Sequence, residues 1–479
     1  MAQAERPFRI IVVGGGVAGL VASNALQKLG IDHVVLEKHS DIAPPLGAGI
    51  SMWPHGLRIL HQLGYLPAIQ KAAVPISREV SVDDFPSYQL ALFIPVVKDH
   101  HESHKLSNNA SHGIGFFPLE RRNFLEILYD GLPDKSFIKT NAGVEDVRQF
   151  PDRVEVKLGD GTVEVGDMVL GCDGVHSHMR TLMWQHAGKT SPGLIPNKEK
   201  TSLKTSWKTL ALTTPPIPEL GDSYLTVTYN RGITFLATSQ PHAVYFFVIF
   251  ALDEPFTWPH RERYTEEDAQ KLADLVIDKP ITQELLFGEV WRRRTRSAVI
   301  SLEECVMDHW HHGRIVLAGD AVHKVHPNMA LGGNSAIEGV ARVINNIHKV
   351  MQATKGPKPS GTALNSAFAT YQQEMQQRMK ELMDISNMVA KMHTYATPYH
   401  KFLANWILPL SNDRNFADLI GGYIAAGPKL SFLPSAGFTT GMMEWQEKSD
   451  DVDDNENNPK AIEITKMTMA RISEISATA

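Results

Sequence analysis

Residues 11–38 read IVVGGGVAGLVASNALQKLGIDHVVLEK, and few arrangements can accommodate that order. A short apolar run rich in β-branched residues ends in three consecutive glycines, Gly14 to Gly16. A stretch with helical character, Val17 to Leu29, follows at once, and Gly30 is placed to end it in the left-handed conformation that glycine tolerates. A second apolar run, HVVLEK, closes the segment. Near-continuous apolar runs suit strands buried on both faces, and two of them bridged by a helix predict a βαβ unit with parallel strands.

Gly14, Gly16 and Gly19 fit the pattern G-x-G-x-x-G at the junction of strand and helix. Gly14 permits the tight turn, Gly16 lets a pyrophosphate approach the backbone, and Gly19 lets helix and strand pack closely. The helix N-terminus adds free N–H groups and a partial positive charge. Glu37 ends the second strand, where a carboxylate accepts hydrogen bonds from ribose hydroxyls. A glycine turn that merely packs needs no such carboxylate, so a dinucleotide site is the stronger reading. The motif alone does not separate NAD from FAD.

Bulk properties bound the class. At 479 residues the chain exceeds what one core usually holds, so two or more packing units are expected. A net charge of −6 with mixed signs argues against a nucleic-acid partner. Two cysteines, Cys172 and Cys305, make neither a disulfide framework nor a cysteine zinc site, and a reducing, cytoplasmic setting fits them. The first residues lead almost directly into a strand, without a secretory signal. DHHESH (Asp99–His104) and HWHH (His309–His312) lack regular ligand spacing with a third ligand, so no metal site is assigned. Ile233 to Leu252 holds no Asp, Glu, Lys or Arg over 20 residues, but SQPH in its middle signals a hairpin turn, not a membrane helix.

Further along, Glu120 to Leu132 predicts a helix with Phe124, Leu125 and Leu128 on one face. A hairpin turns at Asp160-Gly161 and leads into another buried strand. Lys204 to Leu252 is rich in β-branched and aromatic residues and predicts an antiparallel sheet; for Tyr224, Tyr229, Phe246 and Phe247, core packing and substrate lining both stay open. Gly313 to Ala321 returns to parallel-strand character, and helices are expected at Ser335–Val350 and Ala363–Met392. Glu444 to Lys460, with seven acids, reads as a solvated linker.

Two stretches decide the cofactor. LGCDGVHSHMR (Leu170–Arg180) and GRIVLAGDAVHKVHPNMALGGNSAIEG (Gly313–Gly339), following the glycine motif in this order and spacing, resemble the group A flavin monooxygenases. The resemblance implies FAD held by Asp173 in an Asp-Gly pair and by Asp320 in a Gly-Asp pair. Gly332 and Gly333 would lie in the segment that approaches the isoalloxazine ring. HKVHPN before GGNSAIE, and LEKHSDIAPPLGAGISMWPHGLRILHQLG, are similar to the branch serving fungal secondary metabolism. Members of that branch epoxidise isoprenoid chains or oxidise prenylated indoles. Ser51 in the second of these stretches, and an arginine of FFPLERRNFLEILYDGL placed at Arg122, complete the expected FAD contacts. Two departures stand out: Ala330 and Leu331 where the family has Gly-Gln, and Pro54-His55-Gly56 where it commonly has Pro-Asn-Gly. Either could reshape the substrate pocket.

What the resemblance implies is an α/β protein. A Rossmann-like FAD-binding domain (1–80, 110–185 and 300–350) is joined by an antiparallel β-sheet substrate domain (80–110 and 190–295), a helical C-terminal region (351–443), and an acidic linker and tail (444–479). The reaction is oxygenation of a hydrophobic small molecule with NADPH and O2, most simply epoxidation of an electron-rich C=C. An indole epoxide of this kind would collapse to an oxindole, spirocyclic in some cases. No second G-x-G-x-x-G appears, which agrees with transient NADPH docking in that family. Lys208, on one face of TSWKTLALT with Leu210 and Leu212, is the candidate for steering the oxygen or the rearrangement. His323 and His326 are read as ordering the flavin loop, and Cys172 as a buried filler. Two rivals are a flavin enzyme that desaturates or cyclises without inserting oxygen, and a non-catalytic carrier of prenylated ligands. YHKFLANWILPL (Tyr399–Leu410), apolar with aromatics but too short to span, suggests peripheral membrane contact.

Overall fold

The strand Arg9–Val13 sits at the centre of a sheet whose order is His311–His312, Ile315–Leu317, Met168–Gly171, Arg9–Val13, Asp32–Leu36, Ile138–Lys139. All neighbours pair in parallel except the edge strand at His311. This is a computed structural model, and it describes residues 6–44, 49–83, 112–407 and 420–446. DHHESH, the last residues of YHKFLANWILPL and nearly all of the acidic stretch lie outside the described residues.

The βαβ unit forms as its sequence dictates. The helix spans Val17–Leu29, and Gly30 closes it at φ 66°. Helices Gly332–Ala353 and Gly361–His393 match the expected pair and run slightly longer. The helix Arg121–Asp130 buries Phe124, Leu125 and Leu128. The hairpin at Asp160 turns through Gly161 at φ +87°, a conformation that favours glycine.

The second sheet has seven strands, in the order His323–Lys324, Arg296–Val306, Lys204–Thr214, Ala243–Thr257, Ile233–Gln240, Tyr224–Asn230, Arg78–Asp83. The charge-free stretch is a hairpin, Ile233–Gln240 against Ala243–Thr257. The sheet differs from a purely antiparallel one at its edge, where Arg78–Asp83 pairs in parallel with Tyr224–Asn230. That strand straddles the boundary placed at 80, and Arg296–Val306 carries the sheet past the boundary placed at 300. Helices Glu266–Asp274 and Phe287–Arg292 cover one face, forming a small core with Leu210, Leu212, Phe235 and Phe246. The other face looks toward the first sheet. Among the described residues no helix is long and apolar enough to cross a membrane.

Candidate active site

Between the first sheet and the open face of the second lies a cavity of about 690 Å³. Its two walls differ in chemistry. One is built from glycines, backbone and charged groups; the other is mostly apolar, with a few polar groups set into it.

The first wall begins at Gly16, Val17 and Ala18, where the first helix starts with no side chain capping its N–H groups. The three glycines have separable uses. Gly14 adopts φ +106°, and a Cβ there would meet the Cys172 carbonyl oxygen at 2.5 Å. A Cβ on Gly19 would sit 1.8 Å from the Gly14 carbonyl oxygen, so helix and loop touch backbone to backbone. A Cβ on Gly16 would meet nothing within 4 Å; that residue faces open space in the cavity.

Ser51, Asp320, Gly332 and Gly333 also line this wall, as does Cys172. Two expected contacts serve the wall from behind. Glu37 accepts from Gly15 N at 2.7 Å and from His39 N at 2.8 Å, which holds the glycine loop in place. Asp173 accepts from Ser177 Oγ at 2.5 Å and Met179 N at 2.9 Å; it fixes the start of the helix His178–Thr190, while Gly174 beside it lines the cavity.

The arginine needs correction. Arg122 points away and pairs with Glu126 at 3.0 Å, its side chain 43% exposed. Arg121 lines the cavity, with the Asp320 and Glu37 carboxylates acting on it. One residue of helix turns the side chain by about 100°. The signal was present in the sequence: Arg121 precedes Phe124, Leu125 and Leu128 by three, four and seven positions, so it shares their buried face, whereas Arg122 shares Glu126's. Lys324, which pairs with Asp320, is a second cation on this wall.

Asn334 ties the wall together. Its Oδ1 accepts from Trp53 N at 2.9 Å, and its Nδ2 donates to Ser51 O at 2.8 Å and Ala330 O at 3.0 Å. Gly56 is required beneath it, because a Cβ there would meet Asn334 Oδ1 at 2.3 Å. Ala330 adopts φ 52°, ψ 31°. The backbone thus keeps a left-handed turn where the resembling family has glycine, at a cost of about 1–2 kcal/mol for a residue with a Cβ. His326 caps this turn, accepting from Asn328 N at 3.4 Å. Burial pulls His326 down to about 3 and His323 down to about 4, so both rings are neutral at physiological pH.

Leu225, Val227, Tyr229, Leu236, Phe247 and Ile249 form the opposite wall. Of the four aromatics left open by the sequence, Tyr229 and Phe247 line the cavity, Phe246 sits in the small outer core, and Tyr224 lies under the Arg78 guanidinium. Lys208 is not at the cavity. Alternation does place it with Leu210 and Leu212, but that face packs under the outer helices; its ammonium lies 6.0 Å from the Tyr264 ring centroid. Periodicity separates the two faces of a strand without saying which one faces inward.

Two polar residues on this side were not anticipated. His393, from the end of the helix Gly361–His393, pairs with Asn328 at 3.1 Å and sets its ring edge-on to Tyr229; burial pulls it down to about 4. Glu79, on the edge strand, also lines the cavity. Among the described residues no group of three or more His, Cys, Asp or Glu is placed to hold a metal ion.

Comparison with known proteins agrees with this geometry. The profile of the FAD binding domain family matches residues 8–386. The chain is 37% identical over 454 residues to the FAD-dependent monooxygenase DEP2 of Alternaria brassicicola, covering 93% of this chain and 83% of that one. It is 32% identical over 444 residues to the FAD-dependent monooxygenase atmM of Aspergillus flavus, covering 92% and 90%. Among solved structures, HpxO of Klebsiella pneumoniae complexed with FAD and uric acid superposes with a TM-score of 0.68 at 18% identity, over 88% of this chain and 97% of that one. That likeness speaks to the fold.

Proposed function

Because the chain belongs to the family of FAD-dependent monooxygenases, we propose that it uses NADPH and O2 to oxygenate an electron-rich C=C of a hydrophobic secondary metabolite, an isoprenoid, meroterpenoid or prenylated indole. The observation that carries the substrate class is the apolar wall facing the glycine wall across one cavity.

The residues present fit FAD. Open space at Gly16, an uncapped helix N-terminus and the half-buried Arg121 together make a cradle for a pyrophosphate. Glu37 keeps lone pairs for ribose hydroxyls while it holds the loop. Asp320 would hold the ribityl chain, and Ser51, Gly332 and Gly333 would let backbone approach a flat ring. When bound, FAD supplies the redox chemistry: NADPH, a proton and O2 are consumed, one oxygen atom enters the substrate and the other leaves as water. The protein's own work is positional. The apolar wall excludes water and holds the C=C, and backbone N–H groups between Pro327 and Asn334 stabilise negative charge developing on oxygen.

Arg121→Gln is expected to weaken FAD binding about tenfold to a hundredfold, the usual loss for a hydrogen bond to a charged group. Arg122→Gln should leave it within about twofold, since a half-exposed i,i+4 pair contributes little. Fluorescence titration of the two apoproteins with FAD distinguishes them; a loss confined to Arg122→Gln would return the role to Arg122, and equal losses would contradict the distinction. For the reaction, pure enzyme is incubated with NADPH and a panel of polyprenyl compounds and prenylated indoles. A mass gain of one oxygen is expected for at least one class, and a panel without such a gain would contradict the substrate reading.

Peripheral contact with a lipid surface, where such substrates reside, is supported by Phe402 and Trp406, which are 47% and 65% exposed. Co-sedimentation with liposomes, lost in the double variant Phe402→Ser and Trp406→Ser, is the expected result. A protein wholly in the supernatant would contradict it.

A further inference from the structure

The edge strand Arg78–Asp83 reads REVSVD, and its pattern is inverted relative to its surroundings. Its parallel register sets Glu79 beside Leu225 and Ser81 beside Val227. Leu225 and Val227 belong to the apolar cavity wall. Side chains two apart on a strand share a face, so Glu79 and Ser81 look the same way as those two apolar residues, while Val80 and Val82 look outward. A strand that only closed the sheet would do the reverse.

Neither polar group is absorbed by the protein around it. Ser81 is 3% exposed, and its hydroxyl has no hydrogen-bond partner among the described residues. Glu79 lines the cavity, and no described group donates to its carboxyl. Burial among apolar side chains pushes that carboxyl up to about 8, so near neutral pH it is largely protonated, and a protonated carboxyl can donate one hydrogen bond while accepting another. Unpaired polar groups among apolar side chains are costly, and Glu79, half-buried at the wall of a ligand cavity with Ser81 next to it on the same strand face, has a ready explanation in the ligand.

We propose that Glu79, with Ser81 beside it, anchors the one polar head (a hydroxyl, carbonyl or ring N–H) of an otherwise hydrocarbon substrate, and so sets which end of that substrate meets the glycine wall. This rests on the reading of the cavity as the oxygenation site. Glu79 is on this account a specificity residue: it chooses and orients the ligand and transfers no proton.

The test uses the FAD-loaded enzyme and two probes, geranylgeraniol and the matching hydrocarbon without the hydroxyl, each titrated by the change in bound-flavin absorbance. The wild type is expected to bind the alcohol about tenfold more tightly, the effect of roughly one good hydrogen bond. Glu79→Leu should abolish that preference while leaving FAD content and hydrocarbon affinity unchanged. Glu79→Gln, which still donates and accepts, should retain it. Preference unchanged in Glu79→Leu would overturn the anchor. So would its loss in Glu79→Gln with the fold intact, because a proton would then be the requirement. Failure of both probes to perturb the wild-type flavin would count against the hydrophobic-substrate reading itself, and the anchor would fall with it.

Discussion

Gly19→Ala is expected to give a colourless protein destabilised by about 3 kcal/mol or more, beyond the usual range for overpacking because the clash is with backbone. The new Cβ would lie 1.8 Å from the Gly14 carbonyl oxygen. Gly14 cannot retreat. Its N–H is bonded to Leu36 O at 2.8 Å, and the Cys172 carbonyl lies so close that even a Cβ on Gly14 would meet its oxygen at 2.5 Å. Helix and strand must therefore separate, and the phosphate cradle opens with them. Gly16→Ala is the control. Its Cβ meets nothing within 4 Å, so the apoprotein should unfold at the wild-type temperature while FAD binding falls sharply. Thermal unfolding of both apoproteins, with flavin absorbance of both holoproteins, separates packing from ligand space. Equal destabilisation in the two variants would contradict the division of roles.

The second large effect lies one helical turn beyond the flavin loop. Glu338 is fully buried in the helix Gly332–Ala353. Arg378 grips it with two hydrogen bonds, at 3.0 and 2.8 Å, and donates a third to Tyr423 O at 2.8 Å. Burial by itself would raise the Glu338 carboxyl, but Arg378, with smaller help from His55 and Arg342, brings it below its ordinary value. Arg378→Met leaves a buried carboxylate without its cation, an expected loss of about 3–5 kcal/mol. The pH dependence carries the sign. In the wild type, a lowered carboxyl contributes stability that is present above the unfolded-state value and is lost as pH falls through the folded one. In Arg378→Met burial outweighs the smaller influence of His55 and Arg342, so the folded carboxyl lies above its unfolded value. The deficit is then largest at neutral pH and shrinks as acid protonates Glu338. His55, 3.9 Å from Glu338, is pulled down to about 4 by burial and stays neutral through most of that range. Urea unfolding of both proteins between neutral and mildly acidic pH reads this directly. A deficit that did not change with pH would mean lost packing, not a stranded charge.

The features legible in the sequence were those that local chemistry decides. The βαβ unit, its C-cap at Gly30, the hairpins at Asp160 and at Pro241, and the two long helices near the C-terminal side all follow from short-range pattern. The glycines of the first loop follow likewise, while Ser51 and Asp320 were named through the family resemblance and line the cavity. What escaped was set by tertiary geometry. The parallel pairing of Arg78–Asp83 with Tyr224–Asn230 joins segments far apart in the chain, and Glu79 became visible only through it. Lys208 was assigned to its strand face, but whether that face meets the cavity or the outer helices depends on where those helices pack. Arg121 and Arg122 differ by one helical step, which the buried face of their helix could have resolved. Glu37 and Asp173 were named as FAD contacts from their motifs; in the structure each holds a backbone turn.

In the proposed reaction one oxygen atom from O2 passes to a hydrophobic ligand held against the apolar wall. The most direct measurement incubates the FAD-loaded enzyme with NADPH and its best-binding polyprenyl or prenylated-indole compound under 18O2, and then repeats the reaction in H2 18O under ordinary oxygen. The account predicts a single heavy oxygen in the product from the labelled gas and none from the labelled water. An oxidised or cyclised product without label from the gas would contradict it and leave a flavin enzyme that removes electrons without inserting oxygen.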